Sequence, residues 1–178
     1  MGKKIFLATA SLLALLFIVF FIWASSSMVS VNKYTGYLKQ NSANDQVLTD
    51  TFTVITYNIG YLSGMTNNLP VERSKNLFTE NMLALQRFLD KREADIVLFQ
   101  EIDFESKRSF GVNQFEEIAG GIGFSQGVYA VNWDKQYVPF PYWPISAHFG
   151  EILSGQAVIA NSKLLSNDRV VLPRSTEN

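Results

Sequence analysis

The stretch Ala94-Asp95-Ile96-Val97-Leu98-Phe99-Gln100-Glu101 decides how this chain is read. Four apolar residues in succession, with no polar alternation, form the pattern of a short strand covered on both faces. The run stops abruptly at two polar side chains. Upstream, Phe52-Thr53-Val54-Ile55-Thr56-Tyr57 is β-branched and aromatic and runs into Asn58-Ile59-Gly60, so it reads as a second strand ending in a loop. Between the two, Val71, Phe78, Met82, Leu85 and Leu89 recur at spacings of seven, four, three and four. That is one face of an amphipathic helix from Val71 to Arg92, with Pro70 near its first turn. A strand, a helix and a buried strand in this order predict a layered α/β arrangement.

Downstream, Asn113 to Ala119 is expected to be a short helix terminated by Gly120, Gly121 and Gly123. Gln126 to Asn132 and Gln156 to Ala160 read as further strands. The connection between them is rich in proline and aromatics. From Trp133 to Trp143 it carries Tyr137, Phe140 and Tyr142 around Pro139 and Pro141. Such a segment is a candidate substrate lid or membrane-facing patch, although most loops of this kind pack on their own body.

The start of the chain has a different character. Lys3 and Lys4 precede Ile5 to Ala24, an uncharged run in which only Thr9 and Ser11 are polar. Twenty residues rising about 1.5 Å each give roughly 30 Å, the thickness of a bilayer's hydrocarbon core. Trp23 suits the membrane–water boundary, and the two lysines place the N-terminus on the cytoplasmic side, with everything after Ser25 exported. The competing reading is a cleaved signal peptide, because Ala24, Ser25, Ser26 and Ser27 are small. The apolar run is longer than the usual signal core of about 7–15 residues, which favours an uncleaved anchor. Residues 1–25 are therefore assigned as membrane anchor or signal segment, 26–50 as a polar spacer with a short helix near Tyr34 to Leu38, and 51–178 as the globular part.

All 16 acidic residues lie from Asp45 onward, where there are 11 Lys and Arg, so the chain from Asp45 onward carries five excess negative charges. Non-specific nucleic-acid binding relies on Lys and Arg contacts to phosphate, so nucleic acid is an unlikely partner on charge. Cysteine is absent and His148 is the single histidine, which excludes disulfides, thiolate metal sites and a His/Cys zinc centre.

Asn58 and Glu101 are the candidate functional residues, each a polar side chain at the end of an apolar strand. Taken alone, either could be an ordinary surface residue. In order and spacing, Thr53-Val-Ile-Thr-Tyr-Asn58-Ile-Gly, Ala94-Asp-Ile-Val-Leu-Phe-Gln100-Glu101-Ile-Asp103 and Gly155-Gln-Ala-Val-Ile-Ala160 resemble the opening motifs of the endonuclease/exonuclease/phosphatase superfamily. The segment Glu101 to Gln114 also looks like the one that follows the glutamate in many of its exported members. The resemblance covers Thr51 to about Leu172.

The resemblance implies a DNase I-like, four-layer α/β/β/α sandwich whose edge loops hold Mg²⁺ or Mn²⁺ and hydrolyse a phosphoester by in-line attack of water. Glu101 matches the metal-binding glutamate, and Asn58 the asparagine that organises metal and phosphate. Both are oxygen donors of the kind Mg²⁺ prefers. Gln100 is assigned to orient Glu101 from behind, and Arg108 to contact substrate phosphate; its competing role is a solvated loop arginine paired with Asp103 or Glu105. His148 does not match the family's terminal Asp-His pair and is assigned a structural or loop role.

Two departures from the pattern stand out. Asn161-Ser162-Lys163 replaces the Ser-Arg that commonly ends the third motif, and no Asp-X-Asn or Asp-His motif follows Leu172. The resemblance therefore implies an incomplete sandwich, inactive alone, whose C-terminal half is missing or is supplied by another chain. The expected function is an exported, membrane-tethered, metal-dependent phosphoesterase. The alternatives are a tethered, non-catalytic binding or scaffold module and, less favoured, a DNA repair nuclease.

Overall fold

The computed structural model describes residues 2–38, 50–67 and 69–172. Helix α1, Gly2–Ser25, is long and apolar enough to cross a membrane, as a span or as a signal sequence. Its apolar side chains stand exposed along nearly its whole length, and only Ala24 is buried.

The remainder is a mixed α/β unit built on one five-stranded sheet. In chain order the strands are β1 (Thr35–Tyr37), β2 (Val54–Asn58), β3 (Ile96–Ser106), β4 (Gln126–Val138) and β5 (Gly150–Ala160), arranged β1-β4-β5-β3-β2. β2 and β3 pair in parallel, as a strand–helix–strand crossover requires, and the other pairings are antiparallel. β3 and β4 both run opposite to β5. The C-terminal ends of β2, β3 and β4 therefore lie at one end of the sheet.

Helix α2 is Lys75–Lys91 and α3 is Gln114–Ile122. Each starts on a side-chain cap: Leu77 N donates to Ser74 Oγ (3.2 Å) and Glu116 N donates to Asn113 Oδ1 (3.3 Å). Phe78, Met82, Leu85 and Leu89 form the buried face of α2, as the spacing predicts. Val71 is exposed and Pro70 lies ahead of the Ser74 cap, so the helix starts later than the periodicity suggested. α3 runs through Gly120 and Gly121 and ends where Gly123 takes the left-handed conformation. Both helices pack on one face of the sheet, against Val97, Phe99, Ala157 and Ile159. Gly127 of β4 lets the Phe115 ring lie flat on the strand, since a Cβ there would sit 2.7 Å from the ring.

Four expectations change. The stretch at Ala94 is covered on one face: Val97 and Phe99 are 0% and 1% exposed, while Ile96 and Leu98 are half-buried on the face away from the helices. β3 does not end at Gln100 and Glu101 but continues to Ser106 through two bulges. β4 and β5 extend well beyond their apolar cores, so the connection between them shrinks to residues 139–149.

The fourth change concerns the spacer. Tyr34 to Leu38 is a strand edge, not a helix, because Thr35–Tyr37 finds open backbone partners on β4. Residues 25–29 are also docked. Asp134 of β4, 6% exposed, accepts hydrogen bonds from Met28 N (2.6 Å), Val29 N (3.2 Å) and Tyr34 Oη (3.0 Å). Lys135 Nζ donates to the last carbonyl of α1, Ser25 O, at 2.6 Å, a favourable place for a cation. The polar stretch Lys39 to Gln46 lies outside the described residues.

Candidate functional site

Past Gln100, β3 carries a bulge: the register with β5 shifts between Gln100 and Ile102, and Glu101 falls in the gap. Its φ is +52°, a left-handed conformation that costs an L-residue of this kind about 1–2 kcal/mol. A bulge bends the strand and re-aims the extra side chain, which is how a sheet turns a carboxylate out of its alternation. Glu101 is partly exposed, and its Oε2 accepts one long bond from Asn67 Nδ2 at 3.4 Å.

Asn58 closes β2 opposite Gln100, so it stands one residue out of register with Glu101 on the neighbouring parallel strand. Its Oδ1 accepts from Gly60 N (3.0 Å), and Ile59 N donates to Gln100 O (3.1 Å). These two bonds fold the chain sharply over the end of β3. Gln100 does not orient Glu101; its Nε2 donates to Thr56 Oγ1 at 3.0 Å across the strand pair. The contact to Glu101 comes from Asn67, which the sequence reading did not single out.

Beyond the bulge lies a buried polar cluster. Asp103 is fully buried and takes a fork from Arg108, Nε to Oδ2 at 3.0 Å and Nη2 to Oδ1 at 2.9 Å. Ser106 Oγ adds a third bond to Oδ1 at 2.9 Å. The Arg108 guanidinium lies 3.3 Å from the centroid of the Tyr61 ring and 5.1 Å from those of Trp133 and Phe149. Arg108 is thus 5% exposed and paired with Asp103, neither a solvated loop residue nor a freely presented phosphate ligand. Gln114, also fully buried, accepts from Asp103 N and donates to Tyr61 O, both at 2.9 Å, and so ties α3 to β3 and to the 60–62 turn. Burial pushes the Tyr61 phenol above its usual range, the Arg108 charge acting against that shift and Glu101 reinforcing it.

A second arginine, Arg73, is anchored from the other side, donating to Thr66 O, to Thr66 Oγ1 (2.9 Å) and to Asn67 O (2.7 Å). Burial lowers its pKa, and the nearby Arg108 charge lowers it further. Arg108 Nη1 and Arg73 Nε are buried without a hydrogen-bond partner among the described residues. Both residues border a cavity of about 620 Å³ whose wall also includes Lys107, His148, Glu72 and Glu151. Neither Asn58 nor Glu101 lines it. Asn58 borders a separate cavity of about 280 Å³ beside α2, with Asn81 and Phe88. His148 holds its own loop: Nδ1 meets Tyr137 Oη at 2.6 Å and Nε2 meets Tyr142 O at 3.4 Å.

The site residues of the sequence thus gather at one sheet end but fall into two groups, Asn58 with Glu101 and Asp103 with Arg108. Among the described residues no three Asp, Glu or His side chains converge as a metal cage. The fit to Mg²⁺ rests on Glu101, which keeps open acceptor positions, and on Asn58, whose amide oxygen has a second lone pair. One carboxylate with one amide is compatible with an ion that draws its other ligands from water and substrate oxygens. No protein-family model matches the chain, and no curated protein or solved structure shows significant similarity to it.

Proposed function

We propose that this protein is a membrane-tethered, divalent-metal-dependent phosphoesterase with Glu101 and Asn58 at its reacting centre. One observation carries the reading: Glu101 is held at φ +52° in a bulge beside Asn58, and among the described residues its carboxylate takes one long hydrogen bond, from Asn67. Backbone strain of this kind persists where the surroundings enforce it, commonly at functional sites.

In this reading α1 spans the bilayer with the sheet on the extracytoplasmic side, and Mg²⁺ bound by Glu101 and Asn58 supplies charge that polarises the phosphoryl oxygens. The rest falls to the chain. Asn67 steadies the carboxylate, the Asn58–Gly60 bond fixes the amide, and the cations around the larger cavity attract an anionic substrate. The half-bare aliphatics of the open sheet face, Ile96, Leu98, Val128 and Val158, support the finer fold assignment, a sandwich in which a second sheet covers them.

The test starts with Mn²⁺ as a paramagnetic substitute for Mg²⁺. The bilayer-embedded chain is expected to bind it with a signal that Glu101→Gln removes. Hydrolysis of phosphomonoester and phosphodiester substrates should fall on the order of 100-fold or more in the same variant. Unchanged binding and unchanged turnover in Glu101→Gln would overturn the assignment. A tethered binding module is the second reading, favoured by the separation of Glu101 from the cation-lined cavity; it expects anion binding that Glu101→Gln leaves intact.

A further inference from the structure

The chain meets the membrane through α1 in the proposed function, yet the contacts along β4 point to a second meeting place. Residues Asp134 to Tyr137 of β4 together touch the N-terminal segment from Val29 back to Phe20. Asp134 holds Met28 and Val29, Gln136 N donates to Ser26 O (3.0 Å), and Lys135 reaches Ser25 O. The Tyr137 ring then stacks on Trp23 (centroids 6.1 Å apart) and meets Phe20 edge-on (5.9 Å). Strand β4 therefore runs down the side of α1, toward the bilayer. Phe20 lies five residues before the end of α1, roughly 7–8 Å deeper along its axis. Tyr137 is already at that level, at the base of the segment 139–149.

That segment starts where β4 ends beside α1, and the chain returns at Gly150, which pairs with Val138. Its tip carries Tyr142, Trp143 and Ile145, exposed to 83%, 75% and 61%. Its base is firm: Phe140 and Phe149 pack at 5.3 Å, Phe149 N donates to Phe140 O, and His148 braces Tyr137. A braced loop presenting Trp, Tyr and Ile, with no charged residue from Val138 to Phe149, has the composition favoured at the lipid head-group boundary.

We infer that the 139–146 loop is a second membrane contact, inserting Tyr142, Trp143 and Ile145 into the bilayer interface beside α1. The inference rests on α1 spanning the bilayer and is independent of the phosphoesterase chemistry. The loop leaves from the same sheet end as Asn58 and Glu101, and Ser146, Ala147 and His148 wall the cavity of Arg73, Lys107 and Arg108. Docking thus turns that cavity toward the membrane surface, where the phosphoesters within reach are lipid head groups.

The absence of cysteine makes the test direct. The full chain, reconstituted in phosphatidylcholine/phosphatidylglycerol nanodiscs, is labelled with an environment-sensitive fluorophore at one introduced thiol: Ser146→Cys in the loop, Leu13→Cys within α1, or Lys91→Cys at the opposite end of the sheet. Nitroxide-bearing lipids are expected to quench the first two labels and spare the third. Adding Trp143→Asp and Ile145→Asp to Ser146→Cys should return that label to an aqueous emission, and both positions are exposed enough to change without unfolding the domain. Quenching at position 13 with a fully aqueous label at 146 overturns the loop contact and leaves the span standing. An aqueous label at 13, whatever the label at 146 reports, overturns the inference together with the span it rests on.

Discussion

The middle of the sheet and its end are stabilised by opposite means. Under α2 and α3 the interior is hydrocarbon, with Leu89, Val97, Phe99, Phe115, Ile118 and Ile159 at 0–2% exposure. At the end of β3 the interior is built around a charge: Asp103 and Arg108 face each other beneath Tyr61, Trp133 and Phe149, with Gln114 and Ser106 completing the bonds. Hydrocarbon interiors tolerate neighbours of similar shape, whereas a buried ion pair tolerates only its partner. The first kind of interior makes a stable scaffold. The second holds the loops around the candidate site in a single arrangement.

The sharpest way to break the comparison is Asp103→Asn, which leaves the guanidinium buried beside a neutral amide. Urea unfolding of the reconstituted chain is expected to show a loss of about 3–5 kcal/mol. Replacing both partners with apolar residues, Asp103→Leu with Arg108→Met, should recover much of that loss; an equal loss in the double variant would mean that the cluster acts through its other hydrogen bonds. In the hydrocarbon region, Ile118→Ala is expected to cost about 2–4 kcal/mol by leaving a cavity, and here no second substitution restores it short of refilling the space.

Smaller effects test the margins. Asn113→Ala removes the cap of α3 and should cost about 1 kcal/mol. Glu101→Gly is expected to go the other way, gaining up to about 1 kcal/mol by relieving the left-handed conformation while abolishing Mn²⁺ binding. Greater stability together with lost function would identify the bulge as a site held at the expense of the fold. Leu98→Thr, on the half-bare face, should move the unfolding midpoint little if that face is solvated and markedly if a second sheet covers it.

Most of the hydrocarbon part was legible in the sequence, because spacing encodes which side chains share a face. Phe78, Met82, Leu85 and Leu89 report the buried side of α2, and the Ala94 run reports β3. What periodicity could not show was whether both faces of β3 were covered, since Ile96 and Leu98 read the same in either case. The sheet-end cluster was largely hidden for a related reason. Its members are polar residues brought together from the 60–62 turn, β3, the 107–109 turn and α3, and no local pattern marks Tyr61, Asn67, Arg73 or Gln114. Asn58 and Glu101 were visible as polar endings of apolar runs. That Glu101 is a bulge residue was not, because the register with β5 is set some fifty residues further along the chain. Strand β1 escaped for want of length: three residues pair with β4 only because its edge is open there.

The bonds to Asp134 bear on a question of maturation. If a peptidase cut the chain between Ser27 and Met28, the Met28 nitrogen that now donates to the carboxylate at 2.6 Å as an amide would become an ammonium facing the same acid. The newly exposed terminus would be neutralised in place, anchored to β4 and awkward for an aminopeptidase to grip. Asp134 would then hold the start of the domain in either form.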